Sequence, residues 1–150
     1  MGDEVVLTWR CEGRNDPARE SVGAFFAYRR ILAERADDYE RRFGVAPEFR
    51  GGIDRGAVTV IEVGDVKREV VFHGDVLNTA ARLLELSKTR GEPLLVSKAI
   101  ADAVASDPTL QRIWGGEVPL RGKRRLVEVC GLAQVPSGMS PSCEDHPDAV

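Results

Sequence analysis

Three extended runs crowd the middle of the chain with no helical pattern between them, and this narrows the fold more than any other feature. Phe49 to Ile53 and Ala57 to Val63 are separated only by Asp54-Arg55-Gly56, a tight-turn signature. Glu69 to Phe72 resumes an extended pattern after the polar stretch Gly64-Asp65-Val66-Lys67-Arg68, which reads as a second hairpin end. A parallel pair needs a crossover of roughly a dozen residues or more. The first two runs are therefore expected to form an antiparallel hairpin, and a single doubly wound parallel sheet is disfavoured.

Helical patterns flank this region. Asp16-Pro17 supplies a cap and a first-turn proline, and Val22, Phe25, Phe26, Arg29, Leu32, Ala36, Tyr39 and Phe43 then recur at steps of three and four. The spacing predicts one long helix, stopped by Gly44. A second helix is predicted from a capping Asp75 to about Arg90, ended by Gly91. Val5 to Trp9 reads as a strand, Leu94 to Val96 as a buried strand, Ser97 as the cap of a short helix through Val104, and Ile113 to Leu132 as a hairpin turning at Arg121-Gly122-Lys123. The order predicts an α+β fold with helices on one sheet face.

A chain of 150 residues with 43% hydrophobic and 30% charged residues can bury a core in one domain. Its 21 Lys and Arg are outnumbered by 24 acidic residues, so nucleic acid is not expected as the partner. Cys11, Cys130 and Cys143 fit no metal spacing or disulfide framework, and a cytoplasmic location is expected. Residues 136–150, rich in Pro, Ser and Asp, read as a disordered tail.

Asn78 and Arg82 lie four residues apart, so a helix presents both on one side, one turn apart. A guanidinium is a planar, permanent cation suited to phosphate, and an amide can donate and accept toward a sugar. The helix N-terminus adds partial positive charge. Spacing alone more readily fits Asn78 as a residue that helps cap the helix and Arg82 as a solvated surface charge.

The wider pattern adds what the pair lacks. Gly52-Ile53-Asp54-Arg55-Gly56, Gly64-Asp65, then Gly74-Asp75-Val76-Leu77-Asn78-Thr79-Ala80-Ala81-Arg82-Leu83, Leu95-Val96-Ser97 and Leu120-Arg121-Gly122-Lys123 run in an order that resembles the class III adenylyl and guanylyl cyclase catalytic domain. The resemblance implies a ferredoxin-like α+β sheet, the nucleotide cyclase fold. It is expected over residues 1–135 and incomplete at the N-terminus, because the family's opening strand, with its first metal aspartate, has no counterpart in the sequence.

The implied reaction is attack of the ribose 3′-hydroxyl of ATP on its α-phosphate, giving 3′,5′-cyclic AMP and pyrophosphate at a dimer interface. The implied cofactors are two Mg²⁺ or Mn²⁺ ions. Asn78 matches the residue that orients the ribose, and Arg82 the one that stabilises charge on the α-phosphate. Arg121 stands where a lysine usually contacts the triphosphate, and Gly2-Asp3-Glu4 resembles a metal-binding turn, making Asp3 the metal ligand. Val71 occupies a position that often holds a purine-bonding Asp or Thr, which valine cannot replace, so ATP rather than GTP rests on the family alone. The expected partners are ATP and a second cyclase subunit, identical or not. The alternative is a catalytically incomplete half that acts as a nucleotide-binding or dimerisation module.

Overall fold

The computed structural model describes residues 4–11, 13, 16–63, 69–120 and 126–136, without the side chains of 62, 63 and 69–71. The elements are α1 (Pro17–Glu34), α2 (Ala36–Phe43), β1 (Gly51–Ile53), β2 (Thr59–Val63), β3 (Glu69–His73), α3 (Asp75–Arg90), β4 (Leu94–Ser97), α4 (Lys98–Ala103), β5 (Leu110–Val118) and β6 (Val127–Gln134).

Helix boundaries follow the local chemistry. The Asp16 side chain accepts the Arg19 N–H, and Pro17 opens α1 with the backbone angle a first turn needs. Gly44 and Gly91 end α2 and α3 in the left-handed conformation, with φ of 73° and 76°. The single long helix expected from 17 to 43 is instead broken at Arg35. Its apolar stripe meets the core only in the first half: Ala18, Val22, Phe25 and Phe26 are buried, whereas α2 buries nothing. Packing thus holds α1 in line but does not extend to α2. Asp75 is the first residue of α3 rather than its cap; Gly74 takes that position.

A four-stranded sheet runs in the order β1-β4-β6-β5, and β2 and β3 form a separate two-stranded ribbon. The expected hairpin between residues 49–53 and 57–63 does not form. β1 instead pairs in parallel with β4, Gly51 opposite Leu94 and Ile53 opposite Val96, and α3 is the crossover between them. The hairpin is β2–β3, Thr59 opposite His73 and Val60 opposite Phe72. The turn signature misled because Asp54 bonds locally, its Oδ1 accepting the Arg55 N–H at 2.8 Å, while the chain leaves the sheet instead of reversing. The terminal hairpin is present as β5–β6, longer at both ends than expected, with turn residues 121–125 outside the described residues.

The α+β architecture stands, with the helices divided between both faces of the sheet. Leu94 and Val96 of β4 pack with α1, with Ile100 and Ala101 of α4, and with Cys130 and Leu132 of β6. Leu95, between them, packs on the opposite side with Leu83 of α3 and with Val118, Leu120 and Val129. All four residues of β4 are buried, as expected for a strand covered on both faces. Leu83 and Leu95 are fully buried, each worth about 2 kcal/mol of transfer free energy. Val5 to Trp9, expected as a strand, forms none and pairs with neither sheet, so its backbone lacks the ladder partner a strand needs.

No described helix is long and apolar enough to cross a membrane. The tail expectation for 136–150 lies almost entirely outside the described residues.

Candidate active-site cleft

Two glycines in β1 set the site. A Cβ on Gly51 would stand 2.7 Å from a ring carbon of Phe25 in α1, and a Cβ on Gly52 would stand 2.2 Å from the Ala80 carbonyl oxygen in α3. Helices on opposite faces therefore close on the strand backbone itself, which only glycine permits. The first turn of α3 is tucked as tightly against the segment after β1, because a Cβ on Gly74 would meet the Ala57 carbonyl oxygen at 2.6 Å. At its other end α3 is tied down by Arg50, whose Nη1 donates to the carbonyls of Ser87 and Glu92 at 3.3 and 3.4 Å. Arg90 adds a guanidinium stacked 3.9 Å above the Trp114 ring centroid.

Beside this junction lies a cleft of about 600 Å³. Its walls are α1, the end of β1, the first turns of α3 and the segment from Glu4 to Trp9. Most of the lining is apolar, as in small-molecule sites, with a few polar side chains that include Asn78 and Asp54.

The structure separates the expected site residues. Asn78 is exposed and lines the cleft; Arg82, one turn along the helix, is half-buried and stands outside that lining. Neither has a hydrogen-bond or ion-pair partner among the described residues. The helix face beside them is occupied: Thr79, Leu83 and Ser87 are buried, the Thr79 hydroxyl donating to the Asp75 carbonyl and the Ser87 hydroxyl to that of Leu84. Val71 sits in β3 opposite Ile61, next to the cleft-lining Phe72, and its side chain is not described. Asp3 and Arg121 lie outside the described residues.

The described residues contain no cluster of three or more His, Cys, Asp or Glu able to hold a metal ion.

Asp54 is the cleft residue that sequence reasoning passed over as a turn former. It reaches the cleft because the chain leaves the sheet after Ile53 instead of reversing, which the turn signature did not show.

No family model matches the chain. The sequence is 25% identical over 132 residues to Adenylate cyclase 2 of Rhizobium meliloti (strain 1021), covering 88% of this chain and 36% of that protein. It is 36% identical over 101 residues to an uncharacterized protein of Mycobacterium tuberculosis (strain H37Rv), covering 63% of this chain and 19% of that protein. The chain thus spans about a third or less of these curated relatives. Among solved structures, the fold matches the adenylyl cyclase CyaB from P. aeruginosa with a TM-score of 0.65 at 20% identity, over 83% of this chain and 62% of that one. It matches the guanylyl cyclase Cya2 with a TM-score of 0.67 at 21% identity, over 87% and 66%.

The architecture is therefore the α+β nucleotide cyclase fold. The chain shares this fold with class III nucleotide cyclase domains, and adenylyl and guanylyl cyclases both stand among its structural neighbours.

Proposed function

We propose that the protein is an adenylate cyclase, converting ATP to 3′,5′-cyclic AMP and pyrophosphate, with Asn78 and Arg82 acting on the ribose and the α-phosphate. The observation that carries this reading is the placement of Asn78 on the first turns of α3, in the wall of a cleft large enough for a nucleotide. Arg82 follows one turn later with no competing ion pair among the described residues, so its charge is available to an anionic ligand. Preference for ATP is supported by the sequence likeness to a relative named as an adenylate cyclase.

Within this reading the Asn78 amide fixes the sugar, so that the attacking hydroxyl faces the α-phosphate. The guanidinium of Arg82 stabilises negative charge as it builds on that phosphate, an interaction stronger in the transition state than in the ground state. A divalent-cation requirement belongs to the same reading, with Asp3 as the proposed ligand.

Assembly with a second copy is supported by the β2–β3 ribbon. Val60 and Ile61 are successive and point to opposite faces, yet they are 59% and 41% exposed, and Phe72, opposite Val60, is 40% exposed. A two-stranded ribbon is marginal alone, and apolar side chains open on both faces suit a subunit packed around it.

The test is cyclic nucleotide formation by the intact protein, supplied in turn with ATP and GTP and with Mg²⁺ or Mn²⁺. Cyclic AMP formation that falls on the order of a hundredfold in Arg82→Ala supports the reading. Absence of any cyclic nucleotide with either substrate and either metal would remove it, and cyclic GMP alone would replace ATP with GTP.

A further inference from the structure

The parallel pair β1–β4 ends where the cleft opens, the position at which parallel strands leave a crevice for ligands. Two polar groups stand near this end of the sheet, Asp54 in the cleft lining and Ser97 outside it. Asp54, the first residue after β1, is half-buried and lines the same cleft as Asn78. One of its oxygens is committed, Oδ1 accepting the Arg55 N–H at 2.8 Å, which fixes the carboxylate; the other has no partner among the described residues. One strand over, Ser97 follows Val96, the register partner of Ile53. Its hydroxyl is enclosed and without a hydrogen-bond partner among the described residues.

A carboxylate repels phosphate, so it suits the uncharged donor groups of a nucleotide. In a cleft where Asn78 is read as the residue that orients the ribose, those donors are the sugar hydroxyls. We propose that Asp54 is a substrate-binding residue whose free oxygen accepts a hydrogen bond from a ribose hydroxyl of the bound nucleotide, an inference that rests on the cyclase reading of the cleft. It divides the recognition between two elements: Asn78 approaches the sugar from α3, and Asp54 from the end of β1. A hydroxyl donating to a charged acceptor in a partly enclosed site typically strengthens binding by about tenfold or more.

The experiment is calorimetric titration of the intact protein with ATP, 2′-deoxy-ATP and 3′-deoxy-ATP. Wild type, Asp54→Asn, Asp54→Ser and Asn78→Ala are compared, with thermal unfolding of each variant alongside. Asn and Ser both keep an acceptor for the Arg55 N–H, so the local fold is retained and either variant serves if the other is unstable. Wild type is expected to bind ATP about tenfold more tightly than one of the deoxy analogues. Both Asp54 variants should erase that difference while binding the weaker analogue as wild type does. Wild-type discrimination in the Asp54 variants would overturn the assignment, as would an equal loss for all three nucleotides. If ATP binding and cyclisation persist and Asn78→Ala weakens them while Asp54→Asn does not, only the Asp54 inference fails. If wild type binds no nucleotide, the cyclase reading fails with it.

Discussion

Gly52 lies directly beneath Ala80: a methyl group on the strand residue would stand 2.2 Å from the helix residue's carbonyl oxygen and 2.6 Å from the Leu84 amide nitrogen. Both obstacles are backbone, so neither can rotate away. Gly52→Ala must lift α3 from β1 and carry Asn78 and Arg82 with it. The expected cost is about 3 kcal/mol, at the upper end for overpacking, read as a lowered midpoint in chemical denaturation. Gly23, in the middle of α1 with nothing within 4 Å of its missing Cβ, is the control. Gly23→Ala should stabilise by roughly 0.5 to 1 kcal/mol through helix propensity.

Arg82→Ala and Asn78→Ala should separate chemistry from stability. Neither side chain has a partner among the described residues, so the unfolding midpoint should shift by no more than about 0.5 kcal/mol in equivalent free energy. The turnover rate for cyclic AMP formation should fall on the order of a hundredfold in Arg82→Ala, with a smaller change in KM. A loss confined to KM would mean that Arg82 binds substrate and transition state equally.

Val60→Lys places a charge on the exposed face of the β2–β3 ribbon without disturbing a described core contact. If the ribbon holds a second copy, light scattering should show the intact protein shifted from dimer toward monomer, with activity that recovers partly as protein concentration rises. An unchanged mass with unchanged activity would place any subunit contact elsewhere.

Asp107 ties α1 to the start of β5. The Thr109 hydroxyl donates to its Oδ1 at 2.6 Å and the Thr109 N–H to the same oxygen at 3.0 Å, while the Arg19 Nε lies 3.2 Å from Oδ2. These bonds, those from Thr109 foremost, favour the ionised form and hold the carboxyl below its ordinary value against a small opposing effect of burial. A lowered folded-state value means that the stabilisation is fully present above the ordinary carboxylate range near 3.9 and is lost as pH falls through the folded value. Asp107→Asn should therefore unfold at a lower temperature than wild type at pH 7, and the two melting curves should converge as pH is lowered through the carboxylate range. A constant gap across that range would show that charge at Asp107 is irrelevant to stability.

The helix boundaries were legible in the sequence because single residues determine them: Asp16 and Pro17 at one start, Gly44 and Gly91 at two ends. The pairing of β1 was not, because it depends on what covers a strand. Phe49 to Ile53 carries two glycines that weaken any hairpin but let α1 and α3 close from opposite sides, so tertiary packing chose the distant Leu94–Ser97 over the adjacent Thr59–Val63. The break at Arg35 has the same origin, since an apolar stripe predicts a helix face but not where the core beneath it ends. For the site, Asn78 could be read from its motif and found its place in the cleft wall. Asp54 was hidden by its resemblance to a turn residue, because only the departure of the chain from the sheet after Ile53 brings it into the cleft wall.

The four residues of β4 serve two hydrophobic layers at once: Leu94 and Val96 belong to the one with α1 and α4, Leu95 to the one with α3. Neither layer can melt while the other keeps that strand in place, so the two should be lost together in a single cooperative transition. The amide hydrogens of Leu95 to Ser97 should then exchange with solvent only through global unfolding, at a rate that reports the stability of the whole sheet. Those of α2, which buries nothing, should exchange through local opening long before.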